Sequence, residues 1–370
     1  MRPKGALMRA RLSGRLVCLA LWLMAASVLP GDLVEPEPAA VRWLVLPFPI
    51  YGPDTGAALT VTGLGLYRSQ AASQTSSLLA FGTYSQRRQG MLMVAPQLTL
   101  RDETLWVEGA FSVRDWPDRY YGVGHDTSRG DRETYTSRGG AGALTVRHAV
   151  VRHWSAGFLF RYADYRVTDV EPGGLLAQGT AFGSGGLRVG GLGLQAVWDN
   201  RDDRFAPKSG SFFNLAGVLY ETSDDGAGFQ RVRVDARCYL PLGEHGILAL
   251  QHYANLNFGH VPFQEMSRIG DMRDVGLMRG YYTGRYLDRH LALLQAEWRF
   301  PLYRRVGAVL FASAGVLGDN LLEGSRHSVY AAGGAGVRYR ALSGERVNLR
   351  LDIAFGEERP GIYFSIMEAF

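Results

Sequence analysis

The chain has 370 residues, 46% of them hydrophobic, with 40 Lys and Arg against 35 Asp and Glu and a formal net charge of +5. Five of the basic residues, Arg2, Lys4, Arg9, Arg11 and Arg15, lie in the first 31 positions, which hold no acid, so the rest of the chain is balanced at 35 against 35. That balance removes the basic footprint a nucleic-acid binder needs, and with Cys18 and Cys238 as the only cysteines a disulfide-stapled scaffold is excluded too.

The basic segment runs into the apolar stretch Leu16–Leu29, with small residues Ala25, Ala26 and Ser27 as a cleavage region. Residues 1–31 read as a secretory signal peptide. Cys18 follows Leu16-Val17, without the small residue of a lipoprotein site, so no lipid attachment is expected. Residues 32–40, rich in Pro and Glu, read as a short periplasmic tether. Beyond them no apolar run approaches the roughly 18 residues of a membrane helix. Alternating segments of about ten residues recur instead, the length of a tilted membrane strand.

Candidate strands lie near 41–51, 57–67, 75–86, 91–101, 104–114, 138–150, 153–165, 187–198, 210–221, 229–240, 246–257, 289–300, 306–316, 328–340, 346–356 and 361–370. The clearest pair flanks the turn Asp102-Glu103: Leu92, Val94, Leu98 and Leu100 oppose Gln97, Thr99 and Arg101, while Leu105, Val107, Phe111 and Val113 oppose Thr104, Glu108 and Ser112. A soluble β-sandwich also alternates. Here Arg shares its strand face with Asp or Glu, as in a hydrated lumen, and the strands exceed the five or six residues usual in soluble sheets. Connections alternate between short ones and the long 115–137, 166–186 and 258–288, as periplasmic turns and external loops do. The expected fold is all-β, a transmembrane antiparallel barrel of about 16 strands over 41–370, with both termini in the periplasm. Trp43, Phe48, Tyr51, Tyr67, Phe300, Tyr303 and Phe370 fall at strand ends and read as interfacial anchors.

Four segments carry more than wall. Asp199-Asn-Arg-Asp-Asp203 has the composition of a calcium loop but lacks the Gly and the distal Glu, so it reads as a turn held by its own charges. Between Arg231 and Cys238 charged and apolar residues alternate, leaving the thiol on the greasy face. The cationic, Gly- and Tyr-rich Leu277–His290 leads into a strand whose polar face is Gln295, Glu297 and Arg299, so a charged loop has a polar interior to enter. The run Ala331–Gly336 lies within a strand, where Gly permits close approach rather than phosphate binding. The eight histidines are dispersed and neither Ser313 nor Ser365 sits in a nucleophile motif. No metal, cofactor or catalytic residue is expected.

Together Trp198–Gly210, Leu277-Met-Arg-Gly-Tyr-Tyr282 with Gly284-Arg285, Ala296-Glu-Trp-Arg-Phe-Pro301 and the final Phe370 resemble the BamA/TamA-type outer-membrane protein family, or bacterial surface antigens. The resemblance implies that the loop with Arg279, Gly280 and Tyr281 folds back into the barrel. It implies that Arg279 meets Glu297 beside Phe311, and that Asp199, Arg201, Asp202, Phe205, Pro207 and Gly210 form a periplasmic turn. Ser313 stands where the family carries an acid, which shifts weight to Glu297 or Asp352. Family members that handle proteins carry periplasmic polypeptide-transport-associated domains, for which 32–40 has no room, so a separate periplasmic partner is one expectation. Ile362, Phe364, Ile366 and Phe370 share one face and resemble the outward signal read by the barrel assembly machinery, although Glu368 takes an aromatic's place. The implied protein sits among the lipid of a Gram-negative outer membrane. It assists protein or lipid assembly or translocation there, or alternatively serves as a passive pore or structural surface protein.

Overall fold

The computed structural model describes residues 41–52, 56–68, 74–223, 227–270, 276–321, 327–342, 344–357 and 360–370; the expected signal segment 1–31 and the expected tether 32–40 lie outside them. Eleven strands come first. They are β1 (Arg42–Gly52), β2 (Gly56–Tyr67), β3 (Ser76–Ser85), β4 (Gly90–Leu100), β5 (Leu105–Tyr120) and β6 (Glu133–Val151). β7 (Trp154–Thr168), β8 (Leu187–Asp199), β9 (Gly210–Thr222), β10 (Gly228–Pro241) and β11 (Ile247–Gly259) follow. A long loop then carries the two-residue strands β12 (Ser267–Arg268) and β13 (Leu287–Asp288). The wall resumes with β14 (His290–Tyr303), β15 (Val306–Gly318), β16 (His327–Arg340), β17 (Asn348–Phe355) and β18 (Gly361–Ile366). All but β12 and β13 form one 16-stranded sheet in chain order, with every neighbouring pair antiparallel.

Alternation sorts the side chains as a membrane wall requires. On β14 Leu294 is 62% exposed while Glu297 is fully buried, and Leu192, Leu194, Phe158, Phe160, Leu219 and Val329 are likewise exposed on their strands. Trp154 and Trp198, paired across β7 and β8 with ring centroids 5.5 Å apart, mark one rim of the wall. β5 and β6 run well past the expected 104–114 and 138–150, because Asp115–Tyr120 keeps pairing with Glu133–Arg138; the first long external loop shrinks to 121–132.

The last strand is shorter than expected. β18 pairs with β17 only from Gly361 to Ile366, and Met367, at φ +72°, turns the chain away from the wall. The sheet's two ends then overlap instead of pairing. Among the described residues no ladder joins β1 to β18. On β1, Trp43 and Val45 are more than half exposed, whereas Leu44 and Leu46 face the opposite way and pack in one cluster with Leu64, Leu66 and Ile366. Ile366 and Phe364 continue the face on which Ile362 is 59% exposed, and Phe48 meets Phe364 edge-on at 5.0 Å. The inward face of β1 and β2 thus covers the outward face of β18. Phe48 belongs to this seam rather than to the aromatic girdle.

Pro47 and Pro49 explain why β1 stays unpaired on its outer side. Residues two apart point their N–H groups to the same lateral edge, and both positions lie within the continuous β1–β2 ladder. A proline fits such a strand only where its missing donor faces away from the partner. The free edge of β1 therefore lacks two successive donors, which opposes a ladder with β18.

Candidate functional site

The loop between His260 and Arg289, described over 260–270 and 276–289, enters the lumen and is pinned on two walls. Its charged centre is Arg279, 4% exposed, whose Nη2 donates to Glu297 on β14 and whose Nη1 donates to Asp352 on β17. The guanidinium carbon lies 3.7 Å over the Phe311 ring, so Arg279 uses both its fork and its flat face. Glu297 also accepts from Arg299 Nε at 2.7 Å, and Asp352 from Arg338 Nη1 at 2.5 Å. Arg350, opposite Arg338 on β17, stands 3.5 Å from Asp352. Such a network requires each buried charge to be matched, since an unpaired one is costly. Ser313 does not join it: its hydroxyl donates to the Ala332 carbonyl at 3.4 Å.

Gly280 is fixed by space and by backbone. At φ +113°, an added Cβ would stand 2.8 Å from Gly356 N and from the Phe355 carbonyl carbon, so only Gly lets the loop lie on the wall. Its N–H donates to Tyr363 Oη at 2.8 Å. Tyr281 donates to the Ala331 carbonyl at 2.8 Å, beside Tyr286 and Tyr330. With Leu277 and Met278 these rings pack on Leu291, Leu293 and Leu317, an apolar layer next to the charged one. The glycines of 331–336 make room for neighbouring wall residues and not for the loop, since a Cβ on Gly334 would stand 2.5 Å from the Phe311 ring and one on Gly336 2.0 Å from Asp352 Oδ1.

The second anchor had no sequence signal. Glu265, 1% exposed, accepts from Arg161 Nη2 on β7 and Arg231 Nη1 on β10, each at 3.0 Å, and from the Tyr165 hydroxyl. Arg231 Nη2 also donates to the Glu265 carbonyl at 2.6 Å. Loop residues have no period to betray them, and only the unexplained arginines on the polar faces of β7 and β10 could have pointed here. Arg285 adds an outer tie, donating to Thr127 Oγ1 at 2.9 Å and to its carbonyl at 2.8 Å. The loop is therefore a strut braced across the lumen.

The turn between β8 and β9 is tied from within. Asp199 takes Arg201 Nε and Nη2 at 2.8 and 2.7 Å, and Asp203 takes the N–H groups of Phe205 and Ala206, both at 2.8 Å. Asp202 accepts from the N–H groups of Lys208 and Ser209 and from Arg346 of the turn between β16 and β17. Burial pushes the Asp202 carboxyl up, but Arg346 and the two N–H donors outweigh it and hold it below the ordinary aspartate range. These oxygens are occupied by donors, the opposite of what a cation loop offers. Gly210, at φ +94°, would place a Cβ 2.5 Å from the Asn200 carbonyl. Pro207 is buried, and Phe205, 6% exposed, reaches up into the seam cluster. Arg204, which the sequence did not single out, enters the lumen to bind Glu108 beside Arg147.

The end of the chain departs most from expectation. Phe370 is 4% exposed and packs with Tyr239 and Ala249 on β10 and β11, across the lumen from its own strand. Glu368, expected at the membrane interface, accepts from Arg338 Nε and Asn348 Nδ2, each at 2.7 Å. Of the proposed outward signal, Ile362, Phe364 and Ile366 keep the wall's parity, and the last two are covered by β1 or β2. The apolar alternation looked continuous, but Glu368 and the Phe370 main-chain oxygen meet the buried Arg338 and Arg299 in the lumen instead of extending the ladder.

Comparison with known proteins agrees with this architecture. The Omp85 superfamily domain matches residues 80–370. The fold is similar to BamA from Haemophilus ducreyi lacking POTRA domains 1–3, with 13% identity, 90% of this chain and 70% of that one covered, and a TM-score of 0.55. It is also similar to CdiB from Escherichia coli, with 15% identity, 91% and 66% coverage and a TM-score of 0.56. CdiB from Acinetobacter baumannii aligns at 11% identity, 90% and 60% coverage and a TM-score of 0.52. The chain thus spans 60% to 70% of those solved chains, and identities this low speak to fold alone. No protein of curated function matches it in sequence. With the family domain covering most of its length and a 16-stranded wall around an inserted loop, the chain belongs to the Omp85 superfamily, as an outer-membrane β-barrel protein of the Gram-negative type.

Proposed function

We propose that this barrel assists the assembly or translocation of proteins at the outer membrane, and that its working part is the seam between β1 and β18. The observation that carries the reading is the overlap: the two end strands touch through Phe48, Phe364, Leu44, Leu46 and Ile366 without a backbone ladder. Side-chain contact of this kind opens without breaking a row of hydrogen bonds, and an opened β1 offers an edge to another strand. The strut in the lumen speaks against a passive pore, because Arg279 ties it to β14 and β17 and Glu265 ties it to β7 and β10. On this reading the protein is not an enzyme, acts on polypeptide or lipid as a scaffold, and works with a periplasmic partner.

A reversible clamp on the seam tests it. In a Cys238→Ser background, Phe48→Cys and Phe364→Cys are joined by a short thiol-cleavable bridge, and the amounts of other barrel and surface proteins in the outer membrane are followed. Bridging should lower those amounts and reduction should restore them. Unchanged amounts with the bridge complete, together with steady single-channel conductance, would point to the pore instead.

A further inference from the structure

The tail beyond β18 lies in a site that is more than the end of a wall. We propose that the lumenal floor holds a peptide site recognising an acidic residue two positions before an aromatic one, filled in this chain by residues 368–370. The acidic position is read by Arg338 Nε and Asn348 Nδ2, both 2.7 Å from Glu368, with Arg299 Nε 3.8 Å away. The aromatic position is read by Tyr239, Ala249 and Ile247, and Arg299 lies 5.2 Å over the Phe370 ring. Arg299 Nη2 donates to the Phe370 main-chain oxygen at 2.9 Å, fixing the backbone at the aromatic position. Ala369 faces Gly276 of the lumenal loop, where a Cβ would stand 2.9 Å from the Ala369 Cβ.

The site is built independently of its occupant. Arg299 is held by Glu297 at 2.7 Å and Arg338 by Asp352 at 2.5 Å. Tyr239, Arg299 and Arg338 lie on β10, β14 and β16, whose ladders run without the tail. The tail's own tie to the wall ends with Met367 N–H to the Asn348 carbonyl at 2.7 Å. Past that bond Glu368–Phe370 is held by lumenal contacts alone, so the same chemistry on a second chain fits once the tail leaves. The site stands or falls independently of the assembly role, because its test needs only the purified barrel.

The probe is the fluorescently labelled hexapeptide Ser-Ile-Met-Glu-Ala-Phe, the sequence of residues 365–370, amidated at its end. It is titrated into the full-length protein in detergent, unchanged and as Glu368→Ala/Phe370→Ala. The double variant should bind the peptide saturably and about tenfold or more tightly than the unchanged protein, whose own tail competes, as expected for a site built on charge-assisted hydrogen bonds. Replacing the peptide's Glu or its Phe by Ala should each weaken binding by about tenfold or more. If the double variant does not migrate as a heat-modifiable barrel, Phe370→Leu, which drops only the ring under Arg299, takes its place. Equal binding by variant and unchanged protein, or indifference to the peptide's Glu and Phe, would overturn the proposal.

Discussion

At the scale of single residues, the barrel's interior is organised by arginines that each satisfy more than one partner. Arg279 joins Glu297, Asp352 and Phe311; Arg299 joins Glu297 and the Phe370 carbonyl; Arg231 joins Glu265 and Asn257. Removing one member of a buried pair strands the other, at about 3–5 kcal/mol, while removing both is milder. Arg279→Ala and Glu297→Ala should therefore each lower the barrel's denaturant stability in detergent by that order. The double variant should show a favourable coupling of about 0.5–3 kcal/mol. Strictly additive losses would mean that the two side chains do not meet. The pairing of Arg279 was legible because Glu297 stands on the polar parity of an unmistakably alternating strand and the loop motif fixed Arg279. Glu265 was not legible, since a loop carboxylate has no parity and its arginines come from β7 and β10, 104 and 34 residues distant.

At the scale of elements, the strands followed their alternation, and the errors fell where tertiary partners override it. β5 and β6 extend because they pair with each other beyond the membrane-length segment, and β18 stops early because Glu368 and Phe370 find lumenal partners that a strand pattern does not contain. Leu-Pro-Phe-Pro, residues 46–49, was a readable edge signal that the alternation of β1 concealed. If Pro47 and Pro49 sit on the unpaired edge of β1, position 47 tolerates change and position 46 does not. Pro47→Ala should leave the heat-modifiable barrel within about 1 kcal/mol of its original stability. Leu46→Pro should remove a donor from the β1–β2 ladder and destabilise β1 by about 3 kcal/mol or more. A milder effect from Leu46→Pro than from Pro47→Ala would reverse the assignment of edges.

At the scale of the whole molecule, the barrel is an overlapped sheet, clamped internally by a strut and tied together by turns at one end. Arg68 Nη2 meets Glu345 at 3.1 Å, and Arg346 meets Asp202, so three turns at one end of the wall are joined. The end strands β1 and β18 meet each other through side chains alone, so the cooperative part of the wall is expected between them. Amide hydrogen exchange resolved by strand, on the protein folded in detergent or nanodiscs, tests this directly. The account predicts that amides on the free edges of β1 and β18 exchange early, while those of β6 to β11 and β14 to β15 stay protected until global unfolding. Protection of β1 and β18 equal to that of the interior strands would show a hydrogen-bonded closure, and would contradict it.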